Sequence, residues 1–254
     1  MRFIACYKLV PEEQDIVITA DRTLATDKAG EKISPFDLNA IEAAVQLAGE
    51  SHEVVALSIG GKALDNAKLR KDALSRGPNA LYLVRDDRLA SSLPYDTARA
   101  IAAASQKIAF DLLICGEGSG DMYAQQTGLL VGAMLQLPAV NGVSKIELKE
   151  GFVTVERTLE NEIEVLDVPL PAVLCVSSDI NLPRIPSMKA ILGAGKKSVT
   201  QWSAGDIDWA PDSARTELAG VYAPQQTERK HIIIEGDGQE EVSRLRDYLT
   251  NALS

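Results

Sequence analysis

A chain of 254 residues, 46% apolar and 24% charged, has the composition of a globular protein that can bury one substantial core. Its 26 basic and 36 acidic side chains leave a formal charge of -10, which opposes binding to nucleic acid or anionic lipid. No uncharged stretch approaches the roughly 20 apolar residues that span a bilayer, and no basic-then-apolar leader opens the sequence, so a cytoplasmic protein that is not membrane-spanning is expected.

Arg2 to Val10 reads as a first strand, and polar Asp15 to Lys32 as a hairpin or excursion. Ser34 before Pro35 suits a helix N-cap with proline in the first turn, and Leu38, Ile41, Val45 and Ala48 then form one apolar stripe. Val54 to Ile59 predicts a second strand ending in Gly60-Gly61, followed by a charged helix through Leu64 and Leu69 to the stop at Arg76-Gly77-Pro78. Ala80 to Val84 is a third strand, Pro94 to Lys107 a helix, and Leu112 to Cys115 a compact fourth strand. A helix is expected to resume near Met122 and to run to about Leu135. This alternation is the pattern of βαβ units, so the fold class is α/β with a mainly parallel, Rossmann-like sheet.

From about residue 139 the runs shorten. Val143 to Leu148, Phe152 to Thr158, Glu162 to Asp167 and Ala172 to Val176 read as an antiparallel addition that completes a domain of residues 1–180. Residues 181–254 hold both tryptophans, Trp202 and Trp209, with little periodicity, and read as a loop and a C-terminal arm. A last helix from Gln239 to Leu253 places Val242, Leu245, Leu249 and Leu253 on one side, able to dock on its own domain or on another chain.

Catalytic machinery is sparse. His52 and His231 sit in no metal-type or nucleophile-type spacing, and His52 reads as a solvated turn residue. Cys6, Cys115 and Cys175 are odd in number, widely spaced and set in apolar runs, as buried free thiols are. No zinc motif is present, so neither a metal nor a catalytic residue is expected. Gly193 to Ser198 is set like a phosphate-binding loop, but Ala190 stands where the first glycine belongs and Lys197 separates the lysine from the serine.

The segment Gly116-Glu117-Gly118-Ser119-Gly120-Asp121 carries more weight because it joins a buried strand to a helix, the usual position of a binding crevice. Glycines Gly116, Gly118 and Gly120 would let the backbone approach a phosphate, and the open amides of the following helix favour one there. A glycine-rich strand-to-helix turn with Asp121 as N-cap explains the same residues equally well. Its spacing differs from the dinucleotide fingerprint, whose turn follows the first strand. Cys6, Ser34 to Asp37 and Ile59 to Gly61 lie at neighbouring element ends and would surround an adenosine at that edge.

At this point the chain resembles the beta subunit of electron transfer flavoproteins, in particular the Fix-type branch associated with acyl-CoA and carnitine metabolism. The residues are Ala5 to Val10, Ser34 to Asp37, Gly116 to Gly128, Val155-Glu156-Arg157, Pro171 to Cys175 and Pro183-Arg184. Asn161 stands where an acid or glycine is usual. The resemblance implies a nucleotide site built from Cys6, Ser34, Pro35, Phe36, Asp37 and Ile59. To these it adds the run Asp121, Met122, Tyr123, Ala124, Gln125, Gln126, Thr127, Gly128, Leu129, Leu130, Val131 and Gly132. That site would hold AMP, or a second FAD in bifurcating relatives, while a main FAD is held largely by an alpha subunit in a heterodimer. Glu13 falls near where AMP-holding members place an aromatic residue against that flavin. Residues 181–190 resemble a loop that docks an acyl-CoA-type dehydrogenase, with Pro183, Arg184 and, at the place of a leucine anchor, Met188. The function so implied is electron transfer from that dehydrogenase to a downstream acceptor. A nucleotide-sensing protein with no redox partner is a second reading, resting on the crevice alone. A hydrolase is weaker, because no base is positioned.

Overall fold

The computed structural model describes residues 1–212, 216–225 and 231–253. The chain opens with β1 (Arg2–Cys6), β2 (Leu9–Pro11), the short pair β3 (Val17–Ile18) and β4 (Leu24–Ala25), β5 (Glu31–Ile33) and α1 (Pro35–Ala48). It continues through β6 (Glu53–Gly60), α2 (Ala67–Ser75), β7 (Ala80–Arg85), α3 (Pro94–Ile108), β8 (Leu112–Gly116) and α4 (Thr127–Leu135). Then follow β9 (Ala139–Leu148), β10 (Phe152–Thr158), β11 (Ile163–Pro169), β12 (Ala172–Val176), α5 (Met188–Ala194), β13 (Ser198–Trp202) and α6 (Gln239–Leu253).

Nine strands form one sheet in the order β11-β10-β9-β12-β8-β1-β6-β7-β13, antiparallel across β9, β10 and β11 and parallel elsewhere. Successive strand residues face opposite sides, so β1 sends Phe3 and Ala5 into the core under α1 and α2, and Ile4 and Cys6 into the core under α3 and α4. The α/β class and the mainly parallel sheet are therefore as the alternation implied.

Four details differ from the sequence reading. The first strand stops at Cys6, because Leu9–Pro11 turns away to pair antiparallel with Glu31–Ile33 in a separate two-stranded sheet. Ala172–Val176 is no part of the antiparallel addition: it lies parallel between β8 and β9, with all five residues buried. An unbroken apolar run is what a strand covered on both faces requires, and Ala-Val-Leu-Cys-Val is one. Third, β13 lies in the stretch read as an arm and closes the sheet beside β7. Its alternation of Ser198, Thr200 and Trp202 with Val199 and Gln201 is that of an edge strand with little apolar pattern to detect. The fourth concerns the start of α4 and belongs to the site below.

The last helix forms where the periodicity placed it. None of its residues is buried, and Val242, Leu245 and Leu249 are each at least half exposed. Among the described residues no helix is long and apolar enough to cross a membrane.

Candidate nucleotide-binding cleft

From β1 the chain crosses through α1 to β6 on one side, while β8, reached through α3, lies on the other. Neighbouring parallel strands whose connections leave in opposite directions open a crevice at their carboxyl ends. A cleft of about 830 Å³ lies there, walled by the ends of β1, β6 and β8 and by the segments that follow them.

The floor is sulfur and carboxylate. Register pairs Cys115 with Cys175, while Ala5 pairs with Ile114, so Cys6, Cys115 and Cys175 come side by side on β1, β8 and β12. All three are buried free thiols. Contact with Cys6 and burial push the Cys115 thiol up, and burial does the same for Cys175. Thiols held protonated are poor nucleophiles, so Cys115 in the cleft lining and Cys175 behind it pack rather than react. Asp37, in the first turn of α1, accepts from Lys8 N at 2.8 Å and from Gly116 N at 3.2 Å. Its burial pushes its carboxyl up to about 7.

The glycine segment is an irregular loop, not the first turns of a helix. Tyr123 and Gln125 take φ angles of 44° and 55°, which no helix allows, and α4 begins at Thr127. Asp121 therefore does not cap α4. It accepts from Met122 N at 2.9 Å, from Ser119 Oγ at 2.6 Å and from Lys8 Nζ at 2.6 Å, fastening the loop to the end of β1. Burial works against the charge on Asp121, but the hydrogen bonds from Lys8 and Ser119 outweigh it and hold the carboxyl below its usual range. Ser34 Oγ accepts from Gly120 N at 3.3 Å. Tyr123 donates to Glu117 Oε1 at 2.9 Å and packs its ring 5.0 Å from that of Phe36.

Why glycine stands at these positions is visible in what a Cβ would strike. On Gly116 it would lie 2.7 Å from Asp37 Oδ1 and 2.8 Å from the Phe36 carbonyl, and on Gly118 it would overlap the Tyr123 ring. Their freedom thus serves the chain's own packing first. The open donors belong instead to α4: Gln126 provides no side-chain cap, so the first amides of this helix have neither a capping side chain nor an intrahelical acceptor. With Gln126, Thr127 and Gly128 in the cleft wall, that helix end offers an anion its positive dipole end.

Of the residues singled out in the sequence, Cys6, Asp37, Ile59, Gly116, Gly118, Asp121, Met122, Ala124, Gln125, Gln126, Thr127 and Gly128 line the cleft. Ser34, Phe36, Gly120 and Tyr123 brace the loop, as their contacts above show, and Pro35 packs beside it, its Cδ 3.3 Å from where a Cβ on Gly120 would sit. Farther along α4, Val131 is core, Leu130 packs against it, and a Cβ on Gly132 would meet that of Ala139 at 2.5 Å, while Leu129 continues the same helix. Pro183, Arg184 and Met188, expected to dock a partner, are absent from the cleft lining. Arg184 is committed internally to Glu42, while Met188 is 72% exposed beside Leu182 and Ile185 at 89% and 94%.

Sequence reasoning missed Lys8 and the wall formed by Ser91, Ser92, Pro94 and Thr97 at the start of α3. The signal was the proline at the first helical position after a strand, which marks another helix end at the same sheet edge. Lining carboxylates are Asp27, Glu31, Asp37, Glu117 and Asp121, against Lys8 and Lys62. An anionic ligand here is therefore held by backbone amides and a helix dipole, with little help from cationic side chains. Replacing Lys8 by alanine is expected to change stability by less than about 1 kcal/mol, the pair with Asp121 being half exposed. On the expectation that AMP occupies the cleft, its affinity should fall several-fold at low salt, and calorimetry in raised salt should shrink the difference.

Residues 21–207 match the sequence model of the family described as the electron transfer flavoprotein domain.

Proposed function

The chain belongs to the electron transfer flavoprotein domain family, and from that premise we propose that it is the beta-type subunit of a heterodimeric electron carrier. Its cleft holds an adenine nucleotide, AMP or the adenosine end of a second FAD, and an alpha-type subunit holds most of the main FAD. The flavin supplies redox chemistry; this chain supplies placement and electrostatics. The observation that carries the reading is the cleft between the ends of β1 and β8, into which the uncapped start of α4 opens. A volume of about 830 Å³ is within the range of sites that take small-molecule ligands of this size.

Within the site each residue has a task. The amides at the start of α4 receive the phosphate, Asp37 and Asp121 fix the loop, and the thiols of Cys6 and Cys115 with Ile59 present an apolar floor to a purine. We assign docking of an acyl-CoA-type dehydrogenase to the exposed apolar group Leu182, Ile185 and Met188. Such side chains are costly in water and are a ready anchor for a partner. Met188 adapts its shape through three rotatable bonds.

Coexpression with an alpha-type chain should yield a yellow complex, and denaturing it should release FAD together with AMP or additional FAD. A purified chain that carries ATP as a homodimer would favour nucleotide sensing instead. Persistent failure to associate with any alpha-type chain would overturn the carrier reading.

A further inference from the structure

Asp37 occupies an unusual electrostatic position. The residue is 7% exposed, and its carboxylate lies between the ends of β1 and β8, where it ties Lys8 N and Gly116 N together. Gly116 makes room for it, since a Cβ there would sit 2.7 Å from Oδ1. Both donors are neutral amides. Among the described residues the cation that acts on it, Lys8, turns its ammonium to Asp121 at 2.6 Å, and the other ionisable groups facing Asp37 are the thiols of Cys115 and Cys175 and the Asp121 carboxylate. The carboxyl is thus buried in the wall of the cleft without a counterion of its own among the described residues.

We propose that Asp37 is a positioning residue that couples nucleotide binding to proton uptake: an anionic phosphate settling at the start of α4 drives a proton from solvent onto the carboxylate beneath the glycine loop. One O–H bond forms on Asp37 and one bond to hydrogen breaks on the hydronium or buffer acid that gives the proton. This rests on the nucleotide reading above. Burial already places the group near neutrality, at about 7, so it is partly protonated before a ligand arrives. A second negative charge nearby raises the affinity of a carboxylate for its proton further. By reciprocity, protonating Asp37 tightens the anion, so affinity rises as pH falls through neutrality. Protonation leaves acceptor capacity on both oxygens, so the ties to Lys8 N and Gly116 N are retained.

The test is calorimetric titration of the full chain, alone or in its complex, with adenosine 5′-sulfate, an anion that does not titrate near neutrality. Repeating it in two buffers of different ionisation enthalpy reads the proton directly. Near pH 7.5 the expected uptake is about half a proton per bound ligand, with affinity falling several-fold between about pH 6.5 and 8.5. Asp37→Asn should bind with no uptake and a flat pH profile. Should that variant fail to fold, the wild-type titrations decide alone. Binding without proton uptake overturns the coupling and leaves the nucleotide site standing. If AMP, adenosine 5′-sulfate and FAD all fail to bind, the nucleotide reading falls and the coupling falls with it.

Discussion

Replacing Gly128 by alanine is expected to weaken AMP binding by at least about tenfold and to destabilise the fold by about 2 kcal/mol. Gly128 is the second residue of α4 and crosses directly over β8 and β12. A Cβ there would overlap Cys175 Sγ and would reach Cys115 Cβ at 3.5 Å and its Sγ at 3.6 Å. Neither strand can retreat, because every residue of both is buried. The helix must lift, and its lifting moves the uncapped amides of Thr127 and Gly128 in the cleft wall. An alanine would gain at most about 1 kcal/mol in helix propensity, less than overpacking of a closed core costs. Trimming the obstacle supplies the control: Cys175→Ala in the Gly128→Ala background should recover more than half of both losses, a coupling that independent sites would not show. Urea denaturation and calorimetry with AMP measure the two effects. A Gly128→Ala protein with unchanged AMP affinity would remove the start of α4 from the phosphate site.

The same contact explains what the sequence displayed and what it concealed. Central strands were legible because runs such as Leu112 to Cys115 carry their burial in their composition. The glycine segment was legible as a strand-to-helix junction, yet its glycines answered to two explanations at once. Geometry separates them: Gly116 and Gly118 accommodate Asp37, Phe36 and Tyr123, and the uncapped amides at the cleft lie some residues later, at Thr127. No local pattern reveals that Tyr123 and Gln125 adopt left-handed backbone, because the loop is held by partners distant in sequence, Lys8 and Ser34. The position of β12 was hidden for a related reason. Hairpin-like spacing from Val143 to Val176 suggests neighbours in sequence pairing in space, whereas parallel pairing with β8 is fixed by contacts across sixty residues of chain. Proton coupling through Asp37 lies further still from sequence, since it depends on where Lys8 points.

Truncating Arg184 to alanine is expected to cost about 2 kcal/mol, although arginine so near an exposed apolar group reads in sequence as part of a docking surface. Its guanidinium donates to Glu42 through Nε at 2.6 Å and Nη2 at 2.9 Å, and its own backbone N–H reaches Glu42 Oε2 at 3.2 Å. Glu42 sits on α1 with 5% of its side chain exposed, against 42% for Arg184. Losing the arginine leaves a carboxylate buried with Gln46 Nε2 at 2.6 Å as its remaining side-chain donor. Breaking a fully buried pair costs more, but water that reaches the half-exposed arginine site softens the loss. Burial raises the Glu42 carboxyl, yet the hydrogen bonds from Arg184 and Gln46 outweigh it and hold the group below its usual range. A depressed carboxyl stabilises the fold above its unfolded value, near 4.5, and that contribution disappears as pH falls through the lower folded value. The gap between wild type and Arg184→Ala should therefore be full at neutral pH and should close in acid. Because Arg76 Nη1 also donates to the Arg184 carbonyl at 3.1 Å, the segment from Leu182 to Ser187 is fastened at this one residue to both α1 and the end of α2. Truncation removes the guanidinium ties, while the Arg184 backbone N–H and carbonyl keep their partners, so the segment should loosen without detaching: limited proteolysis around Leu182 and Ile185 should quicken and capture of the proposed dehydrogenase partner should weaken, while AMP affinity at the cleft stays unchanged. Equal weakening of AMP binding would show that the two surfaces are not independent.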